Sequence, residues 1–161
     1  ALPDIIYAFY FNFQYKGLSL GLNFNGVSGN KIYNHTAMSL FSRGSLSRNQ
    51  NTTAFAIQFP NEDNSNFNEV STRYLEDGDF LRLNNATLAY SLDPKLIGLD
   101  GMFSNFQFSV TGQNLFVISD YSGFDPEVNT GSTIDGIQTF GIDRFTFPTP
   151  RTVLLGLNIS F

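Results

Sequence analysis

The chain has 161 residues, among them 18 phenylalanines and 14 glycines, with no cysteine, no tryptophan, 14% charged residues and a net charge of −5. These figures exclude thiol catalysis, cysteine-ligated zinc and iron–sulfur chemistry, and nine scattered Lys and Arg residues do not form the basic patch that nucleic acid requires. No stretch approaches the ~18 apolar residues of a membrane helix, which leaves a soluble all-β domain or a barrel that hides its apolar character in alternation.

The chain opens at Ala1-Leu2-Pro3 without an initiator methionine or a signal peptide, as an internal or processed piece would. Alternation begins at once. Tyr7, Phe9, Phe11, Phe13 and Tyr15 share one face of a predicted strand, opposite Ala8, Tyr10, Asn12 and Gln14. Lys16-Gly17 is a tight-turn signal, and after it Leu18, Leu20, Leu22 and Phe24 alternate with Ser19, Gly21, Asn23 and Asn25. A long polar connection follows, from about Asn30 to Arg73.

Between Asp79 and Leu92 the face Ala86, Leu88, Tyr90 is apolar, while Leu81 and Leu83 fall out of phase with it. Either a bulge near Asn84-Asn85 restores the phase, or the two leucines face a packed lumen. In the next connection Asp93 is placed to cap a helical turn with Pro94 at its first position. A fourth strand runs from Phe106 to about Ile118, and a loop rich in Gly, Asp, Pro and Thr leads from Ser119 to Arg151. The fifth strand places Val153, Leu155, Leu157, Ile159 and Phe161 on one face, opposite Thr152, Gly156, Asn158 and Ser160.

Two features favour a membrane barrel over a soluble sandwich. The apolar faces are continuous and strongly aromatic or aliphatic. The opposite faces carry Ser, Asn, Thr and Gln with scarcely a charge, which suits an enclosed interior better than open water. Connections alternate between short and long, as in outer-membrane barrels with short periplasmic turns and long external loops. Five strands cannot close a barrel, which needs at least about eight, and open edges in lipid leave backbone groups unsatisfied. The expectation is therefore an all-β, antiparallel transmembrane β-barrel segment whose remaining wall comes from elsewhere.

Three ordered segments carry a family resemblance: Arg73 to Tyr90 (RYLEDGDFLRLNNATLAY); Val110 to Phe116 (VTGQNLF) with Tyr121 to Val128 (YSGFDPEV); and Gly141-Ile142-Asp143 with Pro148 to Thr152 (PTPRT) and Gly156 to Phe161 (GLNISF). Gly29 to Asn34 (GNKIYN) adds a fourth. They resemble the C-terminal part of SusC/RagA-type TonB-dependent outer-membrane transporters. The resemblance implies a plugged barrel of about 22 strands, of which this chain supplies the last five, with residues 1–161 forming the C-terminal portion of the barrel domain and the plug and earlier strands absent. It also implies import of glycans or peptides in the bacterial outer membrane, with a SusD-like surface lipoprotein as lid and TonB engaged through the missing N-terminal part. No enzymatic activity, cofactor or nucleic acid partner is implied. The alternative is a soluble carbohydrate-binding β-sandwich.

Several constellations have both a functional and a plain structural reading. Asp120, Asp125 and Glu127 offer oxygen ligands for calcium but lack the spacing of a known calcium loop, and a turn shaped by Gly123 and Asp125-Pro126, with Asp120 capping amides, is the simpler expectation. Glu76, Asp77 and Asp79 read as a turn entering a strand rather than an acid–base pair. His35 is expected to be solvated. Arg151 is a candidate partner for Asp143 or another loop carboxylate, holding the last loop over the barrel mouth. Tyr33, Asn34, Tyr121 and Asp125 are candidate external-loop contacts to substrate or lid, with the tyrosines alternatively belonging to interfacial aromatic girdles. Val153, Leu155, Leu157, Ile159 and Phe161 resemble the signal read by outer-membrane insertion machinery.

Overall fold

A computed structural model of the chain describes residues 2–41, 54, 70–98, 101–128, 133–134, 137–138 and 140–161. The alternating segments become five long strands: β1 Ile5–Tyr15, β2 Leu18–Ser28, β5 Phe80–Leu92, β6 Asn105–Ser119 and β10 Thr152–Ser160. They form one sheet in the order β1-β2-β5-β6-β10. Lys16 and Gly17 join the first pair with φ of 45° and 83°, the doubly left-handed turn whose twist matches that of the flanking strands.

Register makes the two faces explicit. On β10 and β6, Leu155 lies opposite Val110, Leu157 opposite Phe108 and Ile159 opposite Phe106, all on one face. The intervening pairs are Gly156 with Ser109 and Asn158 with Gln107. A side chain at Gly156 would begin 2.4 Å from the Ser109 hydroxyl, so the glycine makes room for it. The polar face continues across β5, where Thr87 bonds Thr111 at 2.9 Å and Gln107 donates to Ser91 at 3.3 Å.

The apolar face stays uncovered. Phe9 is 52% exposed, Phe11 58%, Leu155 82% and Leu157 59%. In a β-sandwich these residues would be buried between two sheets, so the sandwich alternative fails. Phe24 sets its ring edge-on to both Phe11 and Phe116, at 6.3 and 6.5 Å.

β5 runs unbroken through Asn84-Asn85. Gly26 on β2 lies against the Phe80 carbonyl and Gly17, in the turn before β2, against that of Ser91. Leu83 is buried, whereas Leu88 and Tyr90 are exposed. Asp93 accepts a bond from the Lys95 amide at 3.0 Å and Pro94 opens a 3-10 turn, as its sequence predicts.

The sequence reads 30–73 as a plain polar connection, and the structure corrects this. The described parts of it hold β3 Lys31–Asn34, helix α1 His35–Leu40 and a 3-10 turn, Thr72–Tyr74, that leads into β4 Leu75–Asp77. β3 pairs antiparallel with β4 and parallel with β9, Ile142–Asp143. Strands β7 Thr133–Ile134 and β8 Ile137–Gln138 form a separate two-residue pair.

The chain thus divides into two compact units. The wall unit comprises Ile6–Gly26, Phe80–Ile118 and Thr149–Phe161, and the loop unit Ala1–Ile5, Val27–Asp79 and Ser119–Pro148. Ile32, Met38, Phe41 and Tyr74 form the core of the loop unit.

Candidate functional site

The loop unit is held by a polar knot. Asn34 ends β3 and caps α1, its Oδ1 accepting from the Ala37 amide at 2.8 Å, which is why the helix starts there. Its Nδ2 donates to Glu76 Oε1 at 2.9 Å and to Ser122 Oγ at 3.2 Å. Ser122 in turn donates its amide and hydroxyl to Glu76, both at 2.8 Å. One buried amide and one carboxylate therefore join three segments remote in sequence.

Asp143 forms the second half of the knot. Its carboxylate accepts from Tyr121 OH at 2.6 Å, Thr36 Oγ1 at 3.0 Å and the Thr146 amide at 3.2 Å. Thr36 Oγ1 also receives the Phe145 amide at 2.7 Å, holding Phe145 in the left-handed region at φ 55°. A bulky residue rarely adopts that conformation unless its surroundings enforce it. Burial, and then the bond to Asp143, push the Tyr121 hydroxyl far above its ordinary pKa, so it remains a proton donor. Asn34 is 2% exposed and Asp143 3%. Buried polar groups of this kind require full hydrogen bonding, which the knot supplies.

Asp77 pairs with Lys31 at the surface. Asp79 accepts from Ser28 Oγ at 2.7 Å and the Gly29 amide at 2.8 Å, and these bonds, the Ser28 one foremost, hold its pKa below the ordinary carboxylate value. Glu76, Asp77 and Asp79 thus have three separate sets of partners, which is a structural arrangement and not an acid–base pair.

Of the four candidate contact residues, Asn34, Tyr121 and Asp125 are buried. Asp125 folds back on its own backbone, accepting from the Glu127 amide at 3.0 Å. Tyr33 is half-buried and bonds Met38 Sδ at 3.1 Å. The structure brings Asn34 and Tyr121 together with Glu76, expected only in a turn, and with Thr36 and Ser122, which the sequence did not single out. Asn34 before Thr36-Ala37 is the one signal in the sequence, as a helix cap, that pointed to the knot.

Asp143 is taken up by neutral donors of its own unit, Tyr121, Thr36 and the Thr146 amide. Two further expectations change. The Tyr121 amide is capped by Ser119 Oγ at 3.2 Å rather than by Asp120. His35 is half-buried instead of solvated, with Nδ1 3.2 Å from Ser39 Oγ one helical turn on. Burial, then the nearby Arg144, lower its pKa against the opposing pull of Asp143. Among the described residues no group of three His, Asp or Glu side chains gathers as a metal site would require.

A cavity of about 480 Å³ opens beside the knot, lined by Asn34, Thr36, Ala37, Leu40, Arg73, Tyr74, Glu76, Ser122, Gly123, Phe124 and Asp143. In the wall unit the interior face carries a second cavity of about 340 Å³, lined by Tyr10, Asn12, Gln14, Ser19, Gly21, Asn23, Asn85 and Thr87, without a charged side chain.

No protein-family model matches the chain. A TonB-dependent receptor of Formosa agariphila is 33% identical over 99% of the chain, and TonB-dependent receptor SusC of Bacteroides thetaiotaomicron is 29% identical over 98% of it. The RagAB peptide importer in its closed-closed state superposes with a TM-score of 0.76 over 99% of the chain at 24% identity, a likeness that bears on the fold. Over nearly its whole length the chain is thus similar to TonB-dependent receptors, SusC among them. It spans 17% and 15% of the length of the two receptors and 17% of the RagAB chain.

TonB-dependent receptors of this type are outer-membrane proteins, and the sheet is accordingly an antiparallel segment of a transmembrane barrel. Its bare apolar face meets lipid and its amide and hydroxyl face looks inward. Val153, Leu155, Leu157 and Ile159 of the receptor segment all lie on the lipid side, opposite Phe106, Phe108 and Val110 at three of the four positions. Phe161 rests its ring 6.1 Å from Phe103.

Proposed function

We propose that the chain serves a TonB-dependent importer of glycans or peptides, contributing part of the barrel wall and the external loop surface. The observation that carries this reading is the sheet itself. One face is a bare apolar band, the other is polar and uncharged, and among the described residues neither edge strand, β1 or β10, has a second partner. Open edges in lipid cost several kcal/mol per unsatisfied group, so further strands complete the wall and a plug fills the lumen. Residues 1–161 are then the C-terminal portion of the barrel domain.

A SusD-like surface lipoprotein covers the loops, and TonB engages a part of the receptor beyond these residues. Similarity to TonB-dependent receptors, SusC among them, supports the engagement of TonB. Tyr33, Asn34, Tyr121 and Asp125 serve this surface by shaping it from within. Val153, Leu155, Leu157, Ile159 and Phe161 present the alternating apolar face that insertion machinery reads. The reading assigns no catalysis.

The test is uptake. Cells expressing the full-length receptor with its lipoprotein should accumulate labelled maltoheptaose or labelled tryptic peptides, and disruption of TonB should abolish this. Accumulation that persists without TonB would sink the reading.

A further inference from the structure

We propose that the Lys16-Gly17 turn and the groove beside it on the outer face of the wall unit form a site for an anionic glycerophospholipid, its phosphate received by Lys16 and an acyl chain lying in the groove. The proposal rests on the place of the sheet in the membrane and is independent of what the importer carries.

The turn holds an unusual residue. Lys16 and Gly17 have φ of 45° and 83°, and a two-residue turn of this kind is filled most readily by Asn-Gly or Asp-Gly. Residues with a β-carbon seldom enter the left-handed region, and lysine lacks the short polar side chain that lets asparagine bond locally there. What lysine adds is a charge. Its ammonium stands 5.3 Å from the centroid of the Tyr15 ring, within cation–π range. Tyr15 shares its face of β1 with Phe9, Phe11 and Phe13 and is 58% exposed, so the charge is held on the lipid side at the end of the strand. Among the described residues no carboxylate pairs with it. Asp93, beyond the nearby end of β5, is engaged by the Lys95 amide at 3.0 Å.

An apolar groove of about 450 Å³ begins at this turn, lined chiefly by Leu18, Leu88, Tyr90, Phe108, Leu155 and Leu157 and by no charged side chain. Leu18 follows Gly17 directly, and a side chain at Gly17 would begin 3.6 Å from the Tyr90 ring. Charge, ring and groove are thus continuous. Tyr15 and Tyr90 suit a boundary, each offering an apolar ring and a hydroxyl that stays in the wet headgroup layer. Short turns lie on the periplasmic side of outer-membrane barrels, where the facing leaflet is glycerophospholipid. A lone cation at the head of a greasy groove matches a molecule with a phosphate at one end and a hydrocarbon chain at the other, and basic side chains at a membrane surface select anionic lipids.

The experiment uses the purified full-length receptor in nanodiscs of equal parts phosphatidylglycerol and phosphatidylethanolamine, with a trace of either lipid carrying a photoactivatable diazirine in its acyl chain. Crosslinked peptides are mapped by mass spectrometry. The phosphatidylglycerol probe should mark the groove about fivefold more than the phosphatidylethanolamine probe. Lys16→Asn should abolish that preference and leave the phosphatidylethanolamine signal unchanged, whereas Lys16→Arg should keep it. Asparagine suits the turn better than lysine, so the loss would report the charge and not misfolding. Val110→Trp, which fills the groove, should lower both signals there, and Val153→Trp, on the same face outside the groove, should lower neither.

Equal marking by the two probes, crosslinks spread evenly over every lipid-facing strand, or a preference that survives Lys16→Asn would overturn the site. Displacement of the probe by lipid A more readily than by unlabelled phosphatidylglycerol would also overturn it, by assigning the groove to the external leaflet. None of these readouts passes through uptake, so the site and the importer reading fail separately.

Discussion

The two units of the chain are built on opposite principles. The wall unit leaves its largest side chains bare and relies on ladders between strands that are neighbours in order. The loop unit buries its polar side chains and ties together residues far apart in sequence, 88 residues from Asn34 to Ser122 and 109 from Thr36 to Phe145. The difference teaches where each unit finds its free energy. A wall segment is completed by lipid and by further strands, so its own packing can be sparse. The loop unit instead gathers its buried polar groups, Asn34 and Asp143 foremost, into bonds with one another's neighbours.

Breaking the wall should cost most. Leu155→Arg in the full-length receptor, mid-strand on the lipid face, is expected to destabilise it by about 2–4 kcal/mol, whereas Asn158→Arg on the inner face should cost well under that. Urea unfolding in lipid vesicles measures both. Equal costs would erase the distinction between the faces.

Breaking the knot should cost less and stay local. Asp143→Asn removes a buried carboxylate from three donors, and about 1–3 kcal/mol is expected. Hydrogen exchange should then quicken across α1 and around Tyr121 while the wall strands keep their protection. If the wall loosened equally, the two units would not be separable.

The smallest effect sharpens the comparison by pH. The Asp79 pKa is held below its ordinary 3.8, first by Ser28 and next by the Gly29 amide. A carboxylate with a depressed folded pKa stabilises fully above the ordinary value, and that contribution is lost as pH falls through the folded value. Exchange near Ser28 and Gly29 should therefore quicken as pH drops below about 4. Asp79→Asn should remove that dependence. A profile unchanged by the substitution would assign the acid sensitivity elsewhere.

Much of the wall was legible from residue order alone. Runs of period two mark β1, β2, β6 and β10, which the structure extends to nine to fifteen residues, and β5 carried a phase conflict at Leu81 and Leu83. The loop unit was not legible in this way. Its strands have two to four residues and its helix six, too short for any period to register. Polar loop residues such as Asn34, Tyr121 and Asp125 read as candidates for outside contact because nothing in their spacing discloses a partner. The parallel pairing of Tyr33 with Ile142 has no local signal at all.

By itself the sequence determined the two faces of the wall, because side-chain direction in a strand follows residue parity and needs no knowledge of distant partners. It also determined the Lys16-Gly17 turn and the Asp93-Pro94 cap, both set by neighbouring residues. Only the tertiary structure decided that Glu76, Ser122, Asn34, Tyr121 and Asp143 meet in one hydrogen-bonded knot. Hydrogen bonds between remote side chains depend on where the backbone brings them, and that position is a property of the folded chain as a whole.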